Sequence, residues 1–202
     1  MKNEISCLGK DFPVDLRERL KAATQKQHLA LESELDLLRP DLTLEGLRRV
    51  LEKFYGYYLP CERELAGQPD ELQEVFAARF KTPQLASDLR YLGRTDASIA
   101  ALPLATLQPA TSLTRTLGRW YVIEGSTLGG RLLSERFEKM FGLSRGRGGS
   151  FFNCYGDRVG AMWKDYCRLL EQHAFPSTDP EVIQAAEETF ESLGEWLKSS
   201  AE

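Results

Sequence analysis

The chain of 202 residues contains two histidines, His28 and His173, and these are its only imidazoles. Two imidazoles exclude most metal sites that use several histidines, and no H-E-x-x-H pattern is present. The four cysteines lie 54, 93 and 13 residues apart and form no C-x-x-C pattern. Zinc knuckles, iron–sulfur clusters and dithiol redox sites are therefore not expected, and we predict four reduced thiols in a reducing compartment.

His28 shares one face of a predicted helix with an acidic residue and a basic residue. Glu32 follows it by four residues, so the Glu32 carboxylate can accept the Nδ1 proton and leave Nε2 free as a metal ligand. Lys21 precedes it by seven residues, which places an ammonium two turns back, about 10 Å along the helix axis. This arrangement suits a haem, with the iron on the imidazole and a propionate on the ammonium. A surface histidine beside an exposed carboxylate explains the same residues, and both interpretations stay open.

The second candidate feature is the stretch 120–130, where Gly125, Gly129 and Gly130 fall inside a predicted helix. Each glycine in a helix interior costs about 1 kcal/mol relative to alanine. Gly125 and Gly129 lie four residues apart and share one face, where another group can approach the backbone closely. That group is either a neighbouring helix or a flat ligand, and a helix kink is a third explanation.

The third candidate feature is a pair of cations, Lys164 and Arg168, four residues apart on a predicted helix. Two positive charges at this spacing repel each other slightly in isolation. They become favourable opposite an anion, for example a pair of propionates. A solvated basic helix face is the alternative explanation.

Helices must position these residues, because apolar residues recur at steps of three and four along most of the chain. The breaks predict a connector at 93–109, a kink or break at Pro60, an N-cap at Thr82 and a helix end at Gly142. No sustained alternation indicates a strand. We predict an all-α fold, a single-domain multi-helix bundle of six or seven helices over 13–199, after a flexible segment at 1–12. The main predicted helices are 14–38, 44–65, one from 82, 112–140, 157–173 and 180–198.

Composition narrows the partners and the location. The formal net charge is −4, so the overall charge of the chain does not attract it to nucleic acid or to anionic lipid. No apolar run approaches 18 residues, and the first eleven residues have no apolar core of a signal peptide. We therefore expect a cytoplasmic protein with no nucleic-acid partner and no membrane contact.

Several of these segments resemble one family. Residues 20–24, followed by His28 and Glu32, are similar to the first helix of the biliverdin-producing haem oxygenases. The stretch 117–133 resembles the distal helix of that family in its bacterial form. Lys164 and Arg168, after Trp163, match the family's propionate-binding cations, and 187–197 resembles its closing helix. The resemblance covers 16–198, and its separated motifs occur in the same order.

This resemblance implies that haem b is both substrate and cofactor, sandwiched between the first helix and the Gly-rich distal helix. His28 is then the proximal iron ligand and Glu32 orients it. Animal-type relatives carry an aspartate where this chain has Ser126, and some relatives carry a basic residue where it has Gln25, which weakens one propionate contact. Phe190 is expected near the macrocycle. The residues expected to bind the propionates are Lys21, Tyr121, Lys164 and Arg168. The distal wall is expected to comprise Gly125, Ser126, Gly129 and Gly130, of which the first three are the expected catalytic positions.

The implied reaction is the O₂- and electron-dependent cleavage of haem to biliverdin, with the IXα isomer expected, CO and Fe²⁺. The chain has no nicotinamide or flavin motif, so electrons must come from an external donor, a ferredoxin- or flavodoxin-type reductant or its reductase. A bilin-accepting phytochrome is a further candidate partner. The alternatives are a non-catalytic haem carrier or sensor with the same fold, and a helical interaction domain whose glycines serve packing only.

Overall fold

The structure, a computed structural model, describes residues 15–199, and within that range the chain is helical and has no β-strand. This confirms the predicted all-α class. Short 3₁₀ turns cover Glu64–Gly67 and Gly156–Arg158. The predicted flexible segment 1–12 lies outside the described residues. The eight α-helices are α1 (Leu16–Leu35), α2 (Leu44–Arg63), α3 (Asp70–Ala77), α4 (Thr82–Tyr91), α5 (Asp96–Ala100), α6 (Leu113–Phe141), α7 (Val159–His173) and α8 (Asp179–Lys198).

The long helix α6 and the last helix α8 pack along each other and form the centre of the bundle. Gly118 permits this, because a Cβ there would overlap the carbonyl oxygen of Val182. The first helix, α1, packs on α8, and α7 packs on α6. Leu117 and Trp120 of α6 and Ala186 of α8 are buried in the core. α8 is therefore the common support on which α1 and α6 are placed.

The predicted helix break at Pro60 is wrong, since α2 continues to Arg63, and the predicted kink there stays a prediction. Proline has no N–H, so the carbonyl of Gly56, four residues earlier, loses its helical donor. The backbone N–H of Ala105 donates to that carbonyl at 2.9 Å instead. A donor from a distant segment thus replaces the missing hydrogen bond and keeps the helix intact.

Several predicted boundaries also need correction. The first helix ends at Leu35 rather than at 38, because Asp36 adopts the left-handed conformation (φ 34°, ψ 52°). The short helices α3 and α5 were not predicted, which raises the helix number above six or seven. α5 lies inside the predicted connector 93–109 and begins with a capping box of Thr95 and Ser98. Helices of five to eight residues are too short for the 3.6-residue period to reveal them.

The ends of two helices show where capping was predicted correctly and where it was not. Gly142 ends α6 in the left-handed conformation, with φ 69°, as predicted. Thr82 is the first residue of α4 rather than its N-cap. The Glu62 carboxylate of α2 accepts the backbone N–H of Lys81 at 2.6 Å and of Thr82 at 3.1 Å. A side chain from another helix therefore does the capping. In the described part of the chain, no helix combines the length and apolar character needed to cross a membrane.

Candidate functional site

His28 lies on the open side of α1, with 51% of its side chain exposed. The edge of its ring contacts Phe190 of α8, with ring centroids 5.8 Å apart in a T-shaped arrangement. Oε2 of Glu32 is 3.5 Å from Nδ1 of His28, which is long for a hydrogen bond. Among residues 15–199, Nε2 of His28 has no hydrogen-bond or ion-pair partner. The imidazole is thus supported on one side and accessible on the other.

A contact between α1 and α6 determines how the His28 side of α1 lies relative to the Gly125 side of α6. The Tyr121 hydroxyl of α6 lies beside Thr24 of α1; burial raises the pKa of Tyr121, and the Thr24 hydroxyl partly offsets the rise. One helical turn beyond this contact stands His28 on α1, and one turn beyond it stands Gly125 on α6. The imidazole and Gly125 therefore each lie about 6 Å along their own helix from this contact.

The glycines of α6 divide into two groups by what surrounds them. A Cβ at Gly129 would meet no atom within 4 Å, and one at Gly125 would meet only the Trp163 ring, at 3.8 Å. A Cβ at Gly130 would instead overlap the carbonyl oxygen of Phe152. Close packing therefore explains Gly130, whose part in the distal wall stays a prediction. Gly125 and Gly129 leave the helix backbone open, as a flat ligand requires.

Exposed leucines flank this open backbone. Leu132 is 60% exposed and Leu128 is 47% exposed, and both lie on the same side of α6 as Gly125 and Gly129 by helical spacing. Leu29, next to His28 on α1, is 57% exposed. A cluster of exposed large apolar side chains is typical of a binding surface. We define the glycine face as Gly125, Leu128, Gly129 and Leu132.

Tyr58 of α2 is a site residue that the sequence did not reveal. Its hydroxyl lies 3.0 Å from Oγ of Ser126, and the Ser126 hydroxyl also donates to the carbonyl of Ile123 at 2.8 Å. Burial raises the pKa of Tyr58 well above its usual value, so the phenol stays protonated at neutral pH. Tyr58 belongs to the apolar stripe of α2, and nothing in its sequence context distinguishes it from a core residue.

Glu124, directly before Gly125, is fully buried and holds α6 in place through three donors. Nη1 of Arg79 is 2.6 Å from Oε2 of Glu124, and Nζ of Lys81 is 2.7 Å from Oε1. The hydroxyl of Tyr155 donates to Oε1 at 2.8 Å. The four residues come from three separate segments of the chain, so no local motif marks them. This network fixes the position of α6 at the start of the glycine face.

The basic residues predicted for the propionates lie on α1 and α7. Lys21 and Lys164 are exposed, and no carboxylate of the described residues is within 4 Å of either ammonium. Arg168 is exposed and pairs with Asp165. The ring of Trp163, adjacent to Lys164, packs against Tyr121 of α6 with centroids 5.7 Å apart. The contact places the start of α7 beside the glycine face.

A family model described as Heme oxygenase matches residues 14–199. The chain therefore belongs to the haem oxygenase family, whose members are haem-degrading enzymes that bind haem. The resemblance inferred from the separated sequence motifs is thus confirmed.

Solved structures of bacterial haem oxygenases have the same fold. The NO- and CO-bound enzyme from Neisseria meningitidis is 21% identical, with a TM-score of 0.73, and the match covers 93% of this chain and 94% of that one. The enzyme from Leptospira interrogans is 19% identical, with a TM-score of 0.73 and coverage of 91% and 98%. Haem oxygenase-1 of Synechocystis, in complex with haem, is 17% identical, with a TM-score of 0.71 and coverage of 91% of each chain. Among curated proteins, none matches the chain.

Proposed function

We propose that this protein cleaves haem with O₂ and externally supplied electrons, and releases biliverdin, CO and Fe²⁺. One observation carries the proposal. The backbone of α6 is open at Gly125 and Gly129, one turn beyond the contact between Tyr121 and Thr24, and His28 stands one turn beyond that contact on α1. A flat ligand between these helices meets an imidazole on one side and bare backbone on the other.

His28 is the proposed iron ligand, through Nε2. Glu32 lies at the other ring nitrogen, where its carboxylate favours a proton on Nδ1 and so keeps Nε2 available. The edge contact with Phe190 restricts rotation of the ring. Haem is the substrate, and when bound it supplies the iron that binds O₂. The protein's task is to hold that iron with one side open.

The side chains around the site fit the two ends of a haem. Its apolar macrocycle matches Leu29, Leu128 and Leu132, which are about half exposed and would gain about half of the roughly 1.5–3 kcal/mol that full burial of a leucine provides. Its two carboxylates match the cations Lys21, Lys164 and Arg168 and the hydroxyl of Tyr121, at the end of the glycine face where α1, α6 and α7 meet. These cations set how the substrate is rotated in its plane, and we expect that rotation to give the IXα isomer.

The helix α6 has no histidine, and its carboxylate next to the glycine face, Glu124, is buried and paired with Arg79 and Lys81, so hydroxyl groups are what the helix offers on the open side. The exposed Ser126 hydroxyl is paired with the protonated phenol of Tyr58, and it would donate toward the space above the glycine face once it turns away from the Ile123 carbonyl, which accepts its proton in this structure. Because the backbone is bare at Gly129, α6 would lie close over a bound haem and would leave room for O₂ only toward an edge of the substrate. Gly125, Ser126 and Gly129 thus act by steering and hydrogen bonding.

The electrons are proposed to come from a ferredoxin- or flavodoxin-type protein or its reductase. A bilin-accepting phytochrome is a candidate recipient of the product. A cytoplasmic location fits such partners.

A two-stage experiment tests the proposal. Hemin is first titrated into the protein, and a Soret band of the bound complex at a 1:1 ratio is expected. Reduced ferredoxin with its reductase is then added under air, and loss of that band with appearance of biliverdin is expected. No Soret band contradicts every haem-based function. A band that persists without biliverdin contradicts the enzyme and favours a haem carrier or sensor.

A further inference from the structure

A cleft of about 530 Å³ lies between the segment that joins α3 to α4, the loop before α7, and α7 itself. This volume is within the range of sites that bind small molecules. The cleft is distinct from the glycine face. Its charged and polar lining comprises Arg79, Gln84, Arg145, Tyr155, Arg158 and Asp165.

Positive charge dominates the lining of this cleft. Three arginines face a single acid, Asp165, and that carboxylate is already paired with Arg168 on its own helix. Arg79 shares the Glu124 carboxylate with Lys81, and like charges brought this close repel one another unless an anion lies between them. The excess charge therefore points to an anionic ligand.

Arg79 forms the buried floor of the cleft and is 4% exposed. Its Nη1 donates to Glu124 and to the carbonyl of Met162, at 2.6 and 3.0 Å. Its Nε is buried without a partner, and its Nη2 has none among the described residues. Glu124 also pairs with Lys81, so one carboxylate balances two buried cations. Buried donors without partners are costly, and an anion in the cleft would compensate the remaining charge.

Arg145 and Arg158 stand at the mouth of the cleft. Nη1 of Arg145 lies beside Gly156, 3.5 Å from where a Cβ would be, so it approaches the turn that leads to Arg158. Within residues 15–199, the Arg158 guanidinium donates only to Sδ of Met162, at 3.7 Å, and a thioether is a weak acceptor. Neither guanidinium has a carboxylate within 4 Å in that range. Both are available to a ligand.

We propose that this cleft binds a phosphate group, carried by a small molecule or free in solution. A phosphate bears close to two negative charges and presents several oxygens, which suits the fork geometry of three guanidinium groups. The site is separate from the proposed haem site, because Met162 and Asp165 share one face of α7 by their spacing of three residues, and Arg158, just before the helix, reaches Met162 on that face. Trp163, which contacts Gly125, lies off that face.

Isothermal titration calorimetry in a phosphate-free buffer tests this proposal with three probes: AMP, inorganic phosphate and adenosine. AMP and phosphate are expected to bind at one site and adenosine is not. Tighter binding of AMP than of phosphate identifies a phosphorylated small molecule as the ligand, and equal binding identifies free phosphate. Arg145→Gln and Arg158→Gln are each expected to weaken binding about tenfold or more, since each removes a charge-assisted hydrogen bond.

Arg147→Gln is the matched control, because Arg147 is an exposed arginine of the same loop as Arg145 and does not line the cleft. This variant should bind AMP and phosphate with unchanged affinity. All three substitutions fall on exposed side chains, so the fold should survive them. The proposal is overturned if neither AMP nor phosphate binds, or if the variant carrying both Arg145→Gln and Arg158→Gln binds them as tightly as the original chain. It is also overturned if hemin displaces the bound phosphate, because the cleft would then belong to the haem site.

Discussion

At the scale of single residues, the two histidines have different surroundings and should behave differently. We expect His28→Ala to remove the axial ligand and change the ferric absorption spectrum of the hemin complex. Added imidazole should restore that spectrum by occupying the vacated position. Stability of the hemin-free protein should change by no more than about 0.5 kcal/mol, because the side chain is half exposed.

His173→Ala is the control for this prediction, since His173 is half-buried at the last residue of α7, about 15 Å along the helix from Trp163, which packs beside the glycine face. Its hemin spectrum should match that of the unmodified protein. An unchanged spectrum for His28→Ala would rule out this residue as the ligand.

The pair formed by Tyr58 and Ser126 makes a second prediction at this scale. Ser126→Ala leaves the buried Tyr58 hydroxyl without its partner and should cost about 1–3 kcal/mol of unfolding free energy. Tyr58→Phe removes the same bond from the other side. The double variant should cost less than the sum of the two, as expected for residues in contact. Urea denaturation measures all three.

Tyr91→Phe, at an exposed tyrosine, is the control and should be nearly neutral. Strict additivity of the two costs would show that the hydroxyls do not interact.

At the scale of elements, α6 contains two adjacent glycines, of which Gly129 faces open space and Gly130 is packed closely against the Phe152 backbone. Gly129→Ala should leave stability unchanged or raise it by up to about 1 kcal/mol, because alanine favours the helix and no atom lies near the new methyl group. It should nevertheless weaken hemin binding, because the methyl occupies the ligand's side of the helix. Gly130→Ala should destabilise the fold through overlap with the Phe152 carbonyl. Thermal denaturation and hemin titration of both variants separate the two effects.

The reverse outcome is equally informative. If Gly129→Ala binds hemin with unchanged affinity, the glycine face is not where the ligand lies.

Glu124 makes the second prediction for α6, since it anchors the helix just before Gly125. Glu124→Gln leaves Arg79 and Lys81 buried without a negative charge, and removing one partner of a buried ion pair costs about 3–5 kcal/mol. Glu138→Gln, at an exposed position of the same helix, should cost less than about 0.5 kcal/mol. Chemical denaturation compares them, and equal costs would contradict the anchoring role.

At the scale of the whole molecule, what could be predicted from the sequence was local. His28 with Glu32, and Gly125 with Gly129, each lie within one helix, where a fixed spacing determines which residues share a face. The all-α class follows from the same periodicity. The residues that were missed depend on contacts between distant segments, as in the bond from Ala105 that preserves the helix at Pro60.

The supporting network of the site shows the same limit. Glu124 meets Arg79, Lys81 and Tyr155 only after three segments have folded together, so each of these residues looks ordinary in its own stretch of sequence. Tyr58 is a similar case, because its partner Ser126 is 68 residues away.

The central claim is that the molecule destroys the haem it binds, and one measurement tests it most directly. The hemin complex is given reduced ferredoxin and O₂ in the presence of catalase, which removes peroxide-driven side reactions. CO is trapped with ferrous myoglobin, and biliverdin is resolved by chromatography. We predict one CO and one biliverdin, in the IXα form, for each haem lost. An intact complex that releases neither product would contradict the account.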